Sequence, residues 1–128
     1  MINTETQKNA SSKPELYTVL TTGRVLHLNL KKKWFMMIAK GVKTEEYREI
    51  KDYWIKRLKD MSLQEPFHAF KDFDKIIFKN GYSKDAPTMI VEFKGIKIDK
   101  GFNEWGAEKG RLYFVIKLGK VLFNNALM

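Results

Sequence analysis

Hydrophobic spacing changes its period several times along this chain, and each change predicts an element. In "RVLHLNL", Leu26, Leu28 and Leu30 alternate with His27 and Asn29, the period of two expected of a half-buried strand. "KKKWFMMIAKG" then places Trp34, Met37 and Ile38 on one helical face, with Lys40 in the last turn and Gly41 just beyond it as a helix stop. A second helix is predicted in "KDYWIKRLKDM", where Ile50, Trp54 and Leu58 recur at i, i+4 and i+8 among charges. "SLQEPFHAFKDF" is a Pro-containing connection, and "DKIIFKNGY" a short strand ending at the turn pair Asn80-Gly81.

The next apolar run carries the topological clue. In "TMIVEFKGIKI" Met89, Val91 and Phe93 occupy odd positions while Ile96 and Ile98 occupy even ones, so the buried face changes parity at Gly95. One extra residue there does this, which is the signature of a β-bulge, and small curled sheets need such bends. "RLYFVIKLGKVLF" supplies a last long strand with Leu112, Phe114, Ile116 and Leu118 on one face and a second bend at Gly119. The sum is an α+β fold: a small curled sheet or barrel of five to six strands with two short helices.

Composition narrows the function classes. With 128 residues, 44% hydrophobic and 13% aromatic, the chain supports one core, so residues 1–15 ("MINTETQKNASSKPE") are expected as a flexible polar tail and 16–128 as a single domain. There is no cysteine, which excludes disulfides, thiolate zinc sites and cysteine nucleophiles. The tail lacks the apolar segment of a signal peptide, and no run approaches the roughly 18 apolar residues of a membrane span, so a cytoplasmic protein without a membrane partner is expected. A net charge of +9 suits polyanions such as nucleic acid, and suits equally a merely lysine-rich protein.

One segment breaks the pattern. "GVKTEEYRE", Gly41 to Glu49, is placed to be a strand, yet when extended it sets Thr44, Glu46 and Arg48 on one face against Lys43, Glu45 and Tyr47 on the other, and neither face is apolar. A water-bathed edge strand tolerates this composition. The other reading is that one face lines a cleft, because departures from local design rules concentrate at functional sites. There Arg48 could fork onto a phosphate or a base edge, Glu46 could accept from an exocyclic amine, and a partly desolvated Lys43 could act as a point charge or a proton donor.

The stretch "G-V-K-T-E-E-Y-R", following a short helix and a leading "LHLNL" strand, resembles the G-x-K-x-x-E-x-R signature of the ASCH domain, the activating signal cointegrator homology family. The resemblance covers about Arg24 to Leu122, and "YFVIKLGKVL" resembles the family's closing strand. It implies a PUA-like β-barrel with a cleft around Gly41, Lys43, Glu46 and Arg48 that binds RNA or a nucleotide-like ligand. One bacterial branch hydrolyses the acetyl amide of acetylated cytidine with a lysine, a threonine and a later glutamate. Lys43 matches the lysine and Glu92 stands where the later carboxylate could be, but Glu46 occupies the nucleophile position and Thr44 lies two residues away, so that chemistry does not carry over as it stands.

Other residues add less. Tyr82, Ser83 and Lys84 after the Asn80-Gly81 turn, and Trp105 in "DKGFNEWGAEKG", sit on predicted loops where aromatic rings could stack a base, although a lone loop tryptophan also serves as a plug. That loop lacks the Asp/Asn ladder of a calcium site. His27 and His68 are too isolated for zinc, and Glu45, Glu46, Glu49 and Asp52 would be spread over different faces, which weakens a magnesium-dependent nuclease. Lys31–Lys33 and Lys56, Arg57 and Lys59 could follow a phosphate backbone or be a solvated face. The sequence thus leads to an RNA- or nucleotide-binding module without metal or cofactor, with Gly41, Lys43, Glu46, Arg48, Tyr82, Lys84 and Trp105 as ligand-binding candidates. The alternatives are a small hydrolase of a modified nucleoside or of RNA, with Lys43, Glu46 and Glu92 as its catalytic candidates, and a protein-interaction domain.

Overall fold

The alternation in the first apolar segment becomes strand β1, Val25–Asn29, with Leu26 and Leu28 buried and His27 exposed. The computed structural model describes residues 18–62 and 69–127, so the tail expected at 1–15 and the part of the Pro-containing connection that includes His68 lie outside the described residues. After β1 come helix α1 (Lys32–Ala39), strand β2 (Glu45–Arg48), helix α2 (Asp52–Leu58) and strands β3 (Lys75–Lys79), β4 (Thr88–Lys100) and β5 (Leu112–Asn124). They form one sheet in the order β1-β3-β4-β5-β2, with β1 parallel to β3 and the other neighbours antiparallel. This is the α+β class with a curled five-stranded sheet. Among the described residues no helix is long and apolar enough to cross a membrane.

Gly41 ends α1 as its sequence implies. It takes φ +75°, its N–H donates to the Ile38 carbonyl at 3.0 Å and the Val42 N–H to that of Met37 at 2.9 Å, the two-bond stop for which a glycine is best suited. The apolar stripe of α1 differs from the expected one. Phe35 and Ile38 are its buried residues, while Trp34 is half-buried on the flank and Met37 is not fully covered. Helix α2 also starts later than its spacing suggests, so Ile50 precedes it and is 41% exposed, and Trp54, Ile55 and Leu58 carry the packing.

The curl comes from the β4–β5 pair. Phe93 lies opposite Leu118 but Ile96 opposite Ile116, so β4 carries one extra residue at Lys94–Gly95, and Gly95 takes φ +113°. Phe93 and Ile96 both reach the main core across this bulge, which is the predicted parity switch, but Ile98, expected on the same buried face, is 43% exposed. Between Val91↔Val121 and Phe93↔Leu118 the extra residue is on β5, at Gly119–Lys120. There the Glu92 carboxylate accepts the Lys120 N–H at 2.9 Å, satisfying a donor that the bulge takes out of the ladder. These bends carry the far edges of the sheet round until β2 and β1 meet through a side chain: Arg48 Nη2 donates to the Asn29 carbonyl at 2.9 Å.

The main core fills the concave face. β1, β3, β4, β5 and both helices supply apolar side chains to it, including Leu28, Phe35, Leu58, Phe78, Val91 and Phe114. Strand β2 supplies none. Its Glu46 is opposite Ile116 and its Arg48 opposite Phe114, and directly paired residues share a face, so two charged side chains occupy the core-facing positions of this strand. On the convex side Tyr47 joins Tyr113, Val115 and Ala107 in a smaller cluster.

Candidate functional site

The charged segment is not a water-bathed edge. Lys43 is 1% exposed and Glu46 7%. Lys43 Nζ donates to Glu46 Oε1 at 2.9 Å, and Glu46 Oε2 takes Arg48 Nη2 at 2.7 Å, giving a cation–anion–cation chain with one net positive charge. The Lys43 ammonium also donates to the Glu45 carbonyl, which points off the open edge of β2, because Thr44, Glu46 and Arg48 are the positions turned toward β5. The rings of Tyr47 and Trp34 lie 4.9 and 5.5 Å from the same nitrogen. Burial lowers the Lys43 pKa from its ordinary value, and the Glu46 carboxylate opposes that shift. Arg48 lies over the Trp54 ring, with 5.0 Å from Cζ to the ring centroid, so α2 backs the guanidinium from behind.

This chain forms part of a cleft of about 750 Å³ between the end of β1 and β2, a size that suits a small-molecule site. Trp34 and Tyr82 supply aromatic surface, Lys31 and Arg48 positive charge, and Asn29 and Asn80 amides. Two buried polar atoms in these residues have no partner among the described residues: the Arg48 Nε–H donor and the Asn29 Oδ1 acceptor. Lys31, Asn80 and Gly81 come from loops flanking β1 and β3, so the cleft draws on segments far apart in sequence.

The predicted residues divide into groups. Glu46, Arg48 and Tyr82 line the cleft, Tyr82 at the rim and 90% exposed. Lys43 stands behind Glu46 with no exposed side-chain surface, acting on the cleft through that carboxylate. Gly41 positions the segment by ending α1 and does not line the cleft. Lys84 is exposed and outside the lining. Trp105 lies in the β4–β5 connection against Phe102, with ring centroids 4.9 Å apart, and the neighbouring Gly106 packs against Trp34. Glu92 is held at the β5 bulge, where the Lys120 N–H keeps its carboxyl below the usual range. Among the described residues no three His, Cys, Asp or Glu side chains gather as a metal site.

Sequence reasoning missed Asn29, Trp34 and Tyr47. Trp34 reads as a core-facing helix residue, and Asn29 as the polar half of an alternating strand. Tyr47 ties the cleft to the β4–β5 connection: its hydroxyl donates to Glu45 Oε1 at 2.8 Å and accepts the Phe102 N–H at 2.9 Å, and burial raises its pKa. The connection comes so close that a Cβ on Gly101 would sit 2.6 Å from Tyr47 Cζ and 2.7 Å from Ala107 Cβ. Gly101→Ala is therefore expected to destabilise the protein by about 1–3 kcal/mol through overpacking, read as a lower urea midpoint. An unchanged midpoint would show that the connection does not press on Tyr47.

The chemical reading of this cleft rests on its own geometry, since comparison of the chain with protein-family models, curated proteins and solved structures finds no match.

Proposed function

We propose that the cleft between β1 and β2 binds RNA or a nucleotide, in an ASCH-like protein acting in the cytoplasm. The observation that carries this reading is the buried Lys43–Glu46–Arg48 chain on the core-facing side of β2. Charges held there, where a strand ordinarily supplies apolar side chains, are costly to bury, and such departures from local design rules concentrate at functional sites. The Arg48 side chain, 16% exposed, and the Asn29 and Asn80 amides in the lining offer donors and acceptors for the mixed edge of a nucleobase. Trp34 and Tyr82 offer ring faces for stacking, and Lys31 offers charge for a phosphate. The net charge of +9 favours encounter with such anions.

Hydrolysis of a modified nucleoside fits less well. It would need Lys43 and Glu92 to reach one substrate, and Lys43 has no exposed side-chain surface while Glu92 is engaged at the β5 bulge. Binding is thus the function that the geometry supports best.

The test is a titration of plain and modified nucleosides, nucleotides and short RNA at low salt, followed by tryptophan fluorescence and thermal shift. A bound ligand at a hundred times its Kd raises apparent stability by about 2.7 kcal/mol. Trp34→Ala is expected to weaken that ligand at least about fivefold, because base–aromatic stacking is worth about 1–3 kcal/mol per base. Absence of any shift across the whole panel would overturn the proposal.

A further inference from the structure

We infer that the ligand is a single-stranded polynucleotide whose backbone runs from the cleft along the open edge of β1 into a second, basic depression at the other end of that strand. This rests on the nucleotide reading of the cleft and goes on to separate RNA from a free nucleotide.

The second depression, of about 560 Å³, lies between the first half of β1 and helix α2. Lys56, Arg57 and Lys71 bring three positive charges to it, against the single carboxylate of Asp52. None of the three cations forms an ion pair among the described residues. Lys71 is held to α2 by a 3.1 Å bond from Nζ to the Lys56 carbonyl, which keeps two of these charges together. Three cations against one carboxylate in the lining suit an external polyanion, although Asp60 and Asp72 line the adjoining depression that Lys71 shares.

Helix α2 joins the two depressions. Its consecutive residues Tyr53 and Trp54, with ring centroids 4.9 Å apart, each lie beneath a guanidinium: Arg57 is 4.4 Å from the Tyr53 ring and Arg48 is 5.0 Å from that of Trp54. One arginine belongs to the basic depression and the other to the cleft. Among the described residues the strand between them pairs along one side only. Arg24 and Leu30 exchange backbone bonds with the β3 side, so by alternation Val25 and His27 turn their backbone groups to the open edge.

Length and edge chemistry decide the class of ligand. From Val25 to Asn29 is four steps of about 3.3 Å, or about 13 Å, a span longer than a single nucleotide covers. An extended peptide adding to this edge would pair with Val25 and His27 but stop short of the cleft, because Arg48 already occupies the Asn29 carbonyl. The three cations, with no ion pair among the described residues, favour the phosphate chain over the peptide.

The experiment compares uridine monophosphate with a uridine hexanucleotide at low salt and across a salt series. The expected result is at least tenfold tighter binding of the hexamer. The triple variant Lys56→Gln/Arg57→Gln/Lys71→Gln should lose that gain, bind the mononucleotide as the parent does, and show a salt slope smaller by about 2, from roughly 0.7 per phosphate contact. Lys71→Glu, a charge reversal at an exposed position, should weaken the hexamer alone. Mononucleotide binding without a length gain, or a length gain kept by the triple variant, overturns this inference and leaves the cleft reading standing. Displacement of the hexamer by polyglutamate at equal charge concentration overturns it in favour of an acidic peptide. Failure of both nucleotides to bind overturns the inference, and the cleft reading falls with it only where the whole panel of nucleosides, nucleotides and RNA is also silent.

Discussion

Replacing Glu46 with alanine is expected to destabilise the fold by about 3–5 kcal/mol, the usual consequence of removing one partner from a buried ion pair. The variant would leave the Lys43 ammonium without its carboxylate in a place where its side chain has no exposed surface, and Arg48 would lose the same counter-charge. The Glu45 carbonyl and the two rings would still surround the ammonium, but neither supplies a negative charge to offset its desolvation. Adding Lys43→Met should recover a large part of the loss, because a neutral side chain of similar length removes the stranded cation. Urea denaturation of the two single variants and the double gives the coupling directly. Additive losses would mean that the ammonium and the carboxylate do not depend on one another.

The pH dependence of stability reports the same arrangement. Burial lowers the Lys43 pKa below 10.5, so between the folded and unfolded values the unfolded chain binds more protons. Stability from this group therefore rises with pH across that window. In Glu46→Gln the attraction that opposes the shift is lost, the folded pKa falls further, and the rise should begin at lower pH. In Lys43→Met that component should vanish. Tyr47 acts with the opposite sign, since its raised pKa gives stability that is present below its unfolded value and lost as pH climbs through the folded one. The comparison thus belongs below about pH 10, before unfolded tyrosine ionises.

Local backbone signals were legible in the sequence because each is written in adjacent residues. Gly41 ends a helix by its own φ, and Gly95 switches the buried face within one strand. The weak point was the orientation of elements against one another. Trp34, Met37 and Ile38 do share a helical face, but the sheet covers Phe35 and Ile38 and leaves Trp34 for the cleft. Ile50 keeps the spacing of α2 and falls outside it, because the helix begins at Asp52. The same division holds at the site. Lys43, Glu46 and Arg48 lie within six positions and announce themselves by charge, whereas the Asn29–Arg48 and Tyr47–Phe102 bonds join residues 19 and 55 positions apart. Such contacts exist only once the sheet has curled.

Arg48 is the residue in which that curl and the proposed ligand meet. Its Nη2 bonds both Glu46 Oε2, at 2.7 Å, and the carbonyl of Asn29 on the opposite sheet edge, at 2.9 Å, while Trp54 supports its plane. A lysine keeps the charge but offers no planar group to stack on Trp54 while one of its nitrogens bonds both acceptors. Arg48→Lys is therefore expected to cost about 1.5–3 kcal/mol of stability, the range for hydrogen bonds to charged groups. Amide exchange should quicken in β1 and β2 and stay slow in the buried part of β4, since the bond lost is the one that joins the two edges. Nucleotide affinity should fall at least tenfold, because the base edge and the sheet edge are held by the same guanidinium. Unchanged exchange in β1 with weakened binding would make Arg48 a ligand contact alone, and unchanged binding with faster exchange would make it only a latch. Both changes together are what a cleft assembled by its own recognition residue requires.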